Sequence, residues 1–262
     1  MVVSIYGFPP LDLIIFTLLG GTLLAVSANV LNQIFEVETD RLMERTANRP
    51  LVTGEITKNS AYVYSIFLGV SGFLILYTQT TELAALIALS ANIFYSFIYT
   101  LFLKPRTNQN IVIGGAAGAA PVLIGWSATG TNLETGSWLL FLLVFLWTPA
   151  HFWALSIDKL NDYKDANFPM LPTQESYKRT SIFIGIYSCA TVLTSLLLAP
   201  ILQLGIVYLL LALIFGIYLM YKSYQLYQKK IKAISYFVFS NTYLAAIFLS
   251  MVADIFFTLS NI

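Results

Sequence analysis

Three oxygen-bearing side chains recur every four residues near the end of the first apolar stretch. They are Asn32, Glu36 and Asp40, within the segment NVLNQIFEVETDRLMERTANRPLVTG at 29–54. Each helical residue turns about 100°, so a step of four rotates the side chain by only about 40° if one helix continues to Asp40. The three groups are then expected on one face, where carboxylate and amide oxygens suit Mg²⁺ together with phosphate oxygens from a substrate.

Basic residues follow this acidic segment directly. Arg41, Arg45 and Arg49 repeat the spacing of four, and guanidinium groups bind phosphate oxygens in a bidentate manner. The combination predicts a site for a metal ion and a diphosphate. The alternative interpretation is a solvated helix end, in which carboxylates and arginines pair across one turn and no ligand is needed.

A second segment, FLWTPAHFWALSIDKLNDYKDANFPMLP at 145–172, repeats the order of apolar helix, spaced carboxylates and prolines. Asp158 and Asp162 are four residues apart, and Lys159 lies between them as a further candidate for diphosphate binding. If both segments end at the same membrane surface, their carboxylates face each other across one cavity mouth. The metal ligands predicted in this way are Asn32, Glu36, Asp40, Asp158 and Asp162.

A third segment, YTLFLKPRTNQNIVIGGAAGAAPVLIGW at 99–126, places Lys104 and Arg106 before a helix rich in small residues. Both are candidates for binding diphosphate, and the alternative is that they only orient the chain in the membrane. Small residues allow close helix packing, which we favour over direct contact with a substrate. The glycines of this helix are Gly114, Gly115 and Gly118.

Four further side chains are candidates for contact with an organic substrate: Tyr99, His151, Trp153 and Tyr163. His151 is the only histidine and lies inside an apolar run, so it is expected to face the protein interior. A structural hydrogen bond there is the alternative to contact with haem or substrate. The aromatic residues are expected to line a hydrophobic tunnel or to stabilise a cation through their π faces, with core packing as the alternative.

The elements that must position these residues are membrane helices. The chain is 58% apolar and 10% charged, and spanning helices need about 20 consecutive apolar residues. We therefore predict an all-α bundle of eight transmembrane helices in one domain, 1–262. A net charge of +1 argues against a nucleic-acid partner. The predicted spans are 11–34, 60–78, 82–102, 110–129, 136–157, 180–199, 204–224 and 235–257.

The basic residues orient the bundle in the lipid bilayer. All 14 Lys and Arg residues lie at the end of the first, third, fifth or seventh span or after it, and loops of this kind lie on the cytoplasmic side. Both ends of an eight-helix chain would then lie outside, with no basic anchor before Met1. This favours a nine-helix fold that lacks its first helix, through truncation or a misassigned start codon.

Three stretches in this order resemble the haem O synthase (protohaem IX farnesyltransferase) family, within the superfamily of intramembrane aromatic prenyltransferases. Three departures stand out. Glu36 replaces the first Asp of the family's acidic motif, and Asn167-Phe168 replaces Gly-Ile/Val before PMLP. Pro105 also separates Lys104 from Arg106, where the family has Lys-Arg. The matching stretches are NQIFEVETDRLMERTANRPL at 32–51, YT..LK..T..NIVIGGAAGA.P.LIGW across 99–126, and LWTP.HFWAL with DY and PMLP across 146–172.

The resemblance implies a nine-helix fold whose motif loops face the cytoplasm of a bacterial inner membrane, with the mitochondrial inner membrane as the lesser alternative. It implies Mg²⁺-dependent transfer of farnesyl from farnesyl diphosphate to a vinyl group of haem b, with water supplying a hydroxyl group. Haem A synthase or terminal oxidase assembly is the protein partner that it suggests. The alternatives are a quinone-precursor or chlorophyll-type acceptor and, from another class, a membrane transporter, although the acidic clusters lie at helix ends rather than at mid-membrane.

Overall fold

The computed structural model describes residues 1–259, in which eight helices are long and apolar enough to cross a membrane. No β-strand occurs in this part of the chain, so the predicted fold class is confirmed. The predicted spans agree with the long helices to within a few residues at each end. The helices are α1 (Val2–Ile5), α2 (Leu11–Phe35), α3 (Val37–Asp40), α4 (Pro50–Thr53), α5 (Lys58–Gln79), α6 (Glu82–Ile93) with a π-helical continuation (Phe94–Leu103), α7 (Asn110–Ser127), α8 (Thr135–Asp158), α9 (Leu160–Asp165), α10 (Leu171–Gln174), α11 (Tyr177–Ile201), α12 (Ile206–Tyr227) and α13 (Ala233–Leu259).

Hydroxyl side chains cap several of the long helices at their first turn. The Thr57 side chain accepts a hydrogen bond from the Ser60 amide at the start of α5. Thr81 does the same at the start of α6, and Ser176 at the start of α11. Such caps satisfy amides that have no partner within the helix, so these residues fix where each spanning segment begins.

The bundle has two packed halves joined by α7. In the first half α2 packs along α5, and in the second α8 packs against α11, which contacts α12. Glycines allow the close approach of α2 and α5: a Cβ on Gly20 would lie 2.7 Å from the Leu76 side chain, and one on Gly72 would lie 2.7 Å from the Gly20 carbonyl oxygen. α7 contacts both α6 and α8, so it forms a shared wall between the halves.

The loops that carry the basic residues meet at one end of the bundle. Lys104, after the π-helical segment, forms an ion pair with Glu36 at the end of α2, and its ammonium group also lies over the ring of Phe168, between α9 and α10. Lys229, after α12, lies over the ring of Tyr177 at the start of α11. The four loops therefore share one end, as the charge pattern predicts.

The third span departs from a regular α-helix. Residues Phe94–Leu103 are π-helical, and the Lys104 amide donates to the carbonyl oxygen of Tyr99, five residues back, at 2.8 Å. The Thr100 hydroxyl donates to the Tyr95 carbonyl oxygen at 2.9 Å and accepts a hydrogen bond from Asn32 on α2 at 3.1 Å. The wider turns thus bring this segment onto α2 beside the first acidic motif, and π-helical turns are frequent at functional sites.

Candidate active site

The first acidic motif lies at a kink rather than on one continuous helix. α2 ends at Phe35, and Glu36 adopts φ −104° and ψ 12° before α3 begins. The helical bonding pattern nevertheless persists across the kink, because the Asp40 amide donates to the Glu36 carbonyl oxygen at 2.7 Å. Asn32, Glu36 and Asp40 are consequently all buried, while Glu38 points to solvent.

Both buried carboxylates of this motif are neutralised by basic partners. Glu36 Oε2 lies 2.6 Å from Lys104 Nζ, and the two side chains are only 8% and 13% exposed. Asp40, which is 3% exposed, pairs with Arg49. An unpaired buried charge is strongly unfavourable, so these partners allow the carboxylates to stay in a poorly hydrated pocket.

The second acidic segment reaches the same mouth through Tyr163. This residue lies on α9, is 7% exposed, and has the Arg45 guanidinium carbon 5.9 Å from its ring centroid. Burial raises the pKa of Tyr163, the Arg45 charge opposes the rise, and the carboxylates of Asp162 and Glu36 add to it. Arg45 follows the first acidic motif and Tyr163 belongs to the second acidic segment, so their contact places Asp162, the neighbour of Tyr163, at the same end of the bundle as Glu36.

Other predicted site residues lie further out. Asp158 pairs with its neighbour Lys159 at 3.4 Å, and Arg41 pairs with Glu38 at 3.3 Å on the solvent side. Arg106 is exposed and donates to a backbone carbonyl of the π-helical segment. The Arg41–Glu38 pair resembles the solvated helix end that was the alternative interpretation for the first acidic segment.

His151 and Trp153 lie in the packed half of the bundle. His151 Nδ1 is 2.7 Å from the Ser240 hydroxyl oxygen, and its ring stacks between those of Trp147 and Phe237, with centroids 4.1 Å away on each side. Trp153 is 1% exposed and packs edge-on against aromatic rings of α11. His151 joins α8 to α13, and Trp153 joins α8 to α11. Both positions match the alternative interpretation, in which these side chains pack the interior and do not contact the substrate.

An apolar cavity of about 390 Å³ opens beneath the charged mouth, with walls from α2, α6, the π-helical segment, α7 and α8. Tyr95 and Tyr99 line it, with their rings stacked at 5.3 Å. Gly114 makes room for this pair, because a Cβ there would lie 2.3 Å from the Tyr99 ring. Among the described residues nothing lies within 4 Å of a Cβ built on Gly118, so this glycine borders open cavity space. The cavity can hold an apolar chain whose polar head stays at the mouth.

Two asparagines of this site were not identified from the sequence. Asn110 is fully buried, and its side-chain amide donates to the Lys104 carbonyl oxygen at 3.3 Å. Asn92 lines the cavity and donates to the Leu24 carbonyl oxygen at 2.8 Å. A polar residue inside a predicted span was the available signal, since such residues are unfavourable in lipid and face the protein interior.

The donor atoms at the mouth fit a magnesium ion that arrives with a diphosphate. No group of three or more His, Cys, Asp and Glu side chains in residues 1–259 is close enough to hold a metal ion by itself. Glu36 Oε1, however, is buried and finds no hydrogen-bond partner among those residues. Mg²⁺ usually takes one or two protein carboxylates and completes its shell with water and phosphate oxygens, which matches one free carboxylate oxygen better than a closed cluster.

Comparison with known proteins confirms the resemblance seen in the three motifs. Residues 1–252 match the UbiA prenyltransferase family. The chain is 42% identical over 259 residues to the protoheme IX farnesyltransferase of Clavibacter sepedonicus, and the match covers 97% of this chain and 85% of that relative.

Two solved structures share the fold at low sequence identity. A digeranylgeranylglyceryl phosphate synthase superimposes with a TM-score of 0.80 at 22% identity, over 97% of this chain and 89% of that one. A UbiA homolog from Archaeoglobus fulgidus, solved with GPP and Mg²⁺, gives a TM-score of 0.65 at 17% identity, over 92% and 88% of the two chains. With a mouth of paired carboxylates and cations above an apolar cavity, eight helices within residues 1–259 that can span a membrane, and a family match over nearly its whole length, the chain belongs to the UbiA prenyltransferase family.

Proposed function

We propose that this prenyltransferase moves a farnesyl group from farnesyl diphosphate to a vinyl group of haem b, with addition of water, to give haem O and diphosphate. The observation that carries the proposal is the buried Glu36–Lys104 pair at the mouth of an apolar cavity of about 390 Å³. Such a site can bind the polyanionic diphosphate of the substrate at the mouth and its apolar prenyl chain in the cavity. The name of the Clavibacter relative, a protoheme IX farnesyltransferase, supports haem b as the acceptor.

The carboxylates are the proposed holders of Mg²⁺. Glu36 and Asp40 are the primary ligands in this proposal, with Asn32 and Asp162 beside them and Asp158 at the rim. The Archaeoglobus homolog that was solved with GPP and Mg²⁺ supports metal dependence within the shared fold. Bound Mg²⁺ would neutralise charge on the diphosphate and so make it a better leaving group.

Lys104 and Arg49 are the proposed diphosphate ligands at the mouth, with Arg45 close by. In the structure their charges are engaged by Glu36 and Asp40, so the same cations are already held at the place where negative charge develops. Donors held at this place stabilise a leaving anion once they turn from the carboxylates to the phosphate oxygens. We assign the more exposed Arg41, Arg106 and Lys159 the weaker role of attracting the anion to the mouth.

The aromatic pair at the top of the cavity is proposed to shield the reacting carbon. When the bond from carbon to diphosphate oxygen breaks, the stacked rings of Tyr95 and Tyr99 present π faces that stabilise the allylic cation. The vinyl carbon–carbon double bond then supplies the electron pair for the new bond to farnesyl. Water adds to the resulting cation beside the porphyrin ring and loses a proton, and the apolar walls keep water from the allylic cation before that step.

We further propose that the basic end of the bundle faces the cytoplasm of a bacterial inner membrane. The concentration of all 14 Lys and Arg residues in the loops and helix ends at one end of the bundle supports this orientation. Haem b and farnesyl diphosphate would then meet the site from the side on which the charged mouth opens. Haem A synthase or the machinery of terminal oxidase assembly is the proposed recipient of the product.

Product analysis tests the proposal directly. The purified protein in lipid nanodiscs is given haem b, farnesyl diphosphate and Mg²⁺, and the porphyrins are analysed by mass spectrometry. We expect a product heavier than haem b by one farnesyl group and one hydroxyl group, together with released diphosphate, and we expect EDTA to abolish both. Prenylation of an added quinone precursor but not of haem b would refute the acceptor, and solute flux without diphosphate release would refute the enzyme.

A further inference from the structure

We propose that the deep end of the cavity limits the prenyl chain to three isoprene units. This end is formed by Gly21 and Leu24 on α2, Ala88 on α6 and Ile124 on α7. The inference rests on the proposed function, because it concerns the prenyl chain that the same site accepts. It assigns the choice of chain length to side chains about half a membrane away from the reacting carbon.

The length of α2 sets the depth of the cavity. Leu24 precedes Glu36 by twelve residues, which at 1.5 Å per residue corresponds to about 18 Å along the helix. Carbon–carbon bonds of about 1.5 Å make an extended isoprene unit about 5 Å long, so a farnesyl chain spans about 15 Å and a chain of four units about 20 Å. The first carbon of the prenyl chain, which is bonded to the diphosphate, lies below the carboxylates. Gly21, the deepest lining residue of α2, lies about 22 Å from Glu36 on the same scale, and the diphosphate occupies the first part of that length. A farnesyl chain therefore ends between Leu24 and Gly21, and a fourth unit would extend beyond the cavity.

The residues that form the deep end, here called the floor of the cavity, are firmly held in place. Leu24, Ala88 and Ile124 are 2%, 3% and 7% exposed, and the Asn92 side chain holds the Leu24 carbonyl oxygen at 2.8 Å. Fully buried residues pack behind them in the same apolar cluster. Tightly packed interiors do not yield by the volume of an isoprene unit, so a longer chain has to leave its end outside the cavity.

The far end of the cavity wall is also closed. The Thr81 hydroxyl at the start of α6 donates to the carbonyl oxygen of Ser127 at the end of α7, at 3.0 Å. On the other side Gly20 and Gly72 bring α2 and α5 into close contact. These contacts lie beyond the floor in the direction away from the charged mouth, so substitution of floor residues changes cavity depth without changing the mouth.

Competition binding tests the inference without requiring the acceptor reaction. Labelled farnesyl diphosphate bound to the protein in nanodiscs with Mg²⁺ is displaced by geranyl, farnesyl or geranylgeranyl diphosphate. The Leu24→Ala variant deepens the floor and leaves the backbone bond from Asn92 intact. Gly21→Leu fills the deep end, because no described atom lies within 4 Å of a Cβ at this position. Leu198→Ala is the matched control, since Leu198 is equally buried in the other half of the bundle.

We expect Leu24→Ala to improve the affinity for geranylgeranyl relative to farnesyl diphosphate by about tenfold or more, since one methylene in an apolar pocket changes selectivity by about 10–200-fold. Gly21→Leu should shift preference toward geranyl diphosphate, and Leu198→Ala should keep the wild-type ratio. Wild-type ratios in both floor variants would overturn the inference. Failure of the proposed function would appear separately, as absence of prenylated haem from a protein that still shows these binding ratios.

Discussion

Replacement of Lys104 by methionine is the most direct test of the charged mouth. Lys104 Nζ lies 2.6 Å from Glu36 Oε2, and neither side chain is more than 13% exposed. Methionine keeps much of the apolar stem of lysine but removes the charge. The other oxygen, Oε1, is already without a hydrogen-bond partner among residues 1–259, so the variant leaves the carboxylate without its charged partner.

The size of the effect follows from the burial of the pair. Removal of one member of a buried ion pair lowers the free energy of unfolding by about 3–5 kcal/mol, because a charge is left uncompensated in a poorly hydrated pocket. Replacement of both members by neutral residues of similar size is often close to neutral in stability. We therefore expect Lys104→Met to lose about 3–5 kcal/mol and the double variant Glu36→Gln with Lys104→Met to recover most of that loss.

Unfolding in mixed detergent micelles and turnover in nanodiscs separate structure from catalysis. The double variant should be nearly as stable as the wild type and yet lose about 100-fold or more in turnover, since loss of one preorganised donor to a developing anion has an effect of this size. A stable Lys104→Met variant, or a double variant as unstable as the single one, would refute the buried pair. A stable double variant with full turnover would refute its role in diphosphate binding.

Three further predictions concern the metal, the cavity and the packed half. Asp40→Asn and Asp162→Asn should each lower haem O formation by about 100-fold or more while the protein stays folded in the membrane, and undiminished turnover in both would remove the metal role. Gly114→Ala should impair turnover, because its Cβ would lie 2.3 Å from the facing tyrosine ring, whereas Gly118→Ala has space and should remain active. His151→Ala should lower the unfolding free energy by about 2–4 kcal/mol through lost stacking and a lost hydrogen bond, with an unchanged KM for farnesyl diphosphate; a raised KM would indicate substrate contact instead.

Hydropathy and charge predicted the spans and the shared end of the basic loops because both depend on local composition. They did not predict which face of a spanning helix is turned toward the protein interior. A membrane helix is apolar all round, so for His151 and Trp153 a place in the cavity stayed open beside the favoured packed core, which is the position that both occupy. A period of four placed Glu36 and Asp40 on one side of a helix, and both are buried.

Residue spacing could not predict contacts between side chains that are far apart in the sequence. Lys104 is 68 residues from Glu36, and their pairing depends on the π-helical turns that precede Lys104. Those turns in turn are fixed by contact with α2, where Asn32 donates to Thr100. A conformation that is stabilised by tertiary contact leaves no periodic signal in the sequence, which is why 82–102 appeared as a regular span.

The pairing of Glu36 with Lys104 and of Asp40 with Arg49 has a consequence for how ligands enter. In this arrangement each carboxylate is balanced by a cation, so the mouth carries little net charge from these four groups. A metal ion alone would add positive charge beside cations that already balance the carboxylates, and a diphosphate alone would have to displace the carboxylates from those cations. A magnesium–diphosphate unit satisfies both sets at once, because carboxylates turn to the metal and cations to the phosphate oxygens. Metal and diphosphate are therefore expected to bind with positive coupling, each raising the affinity for the other by the same factor.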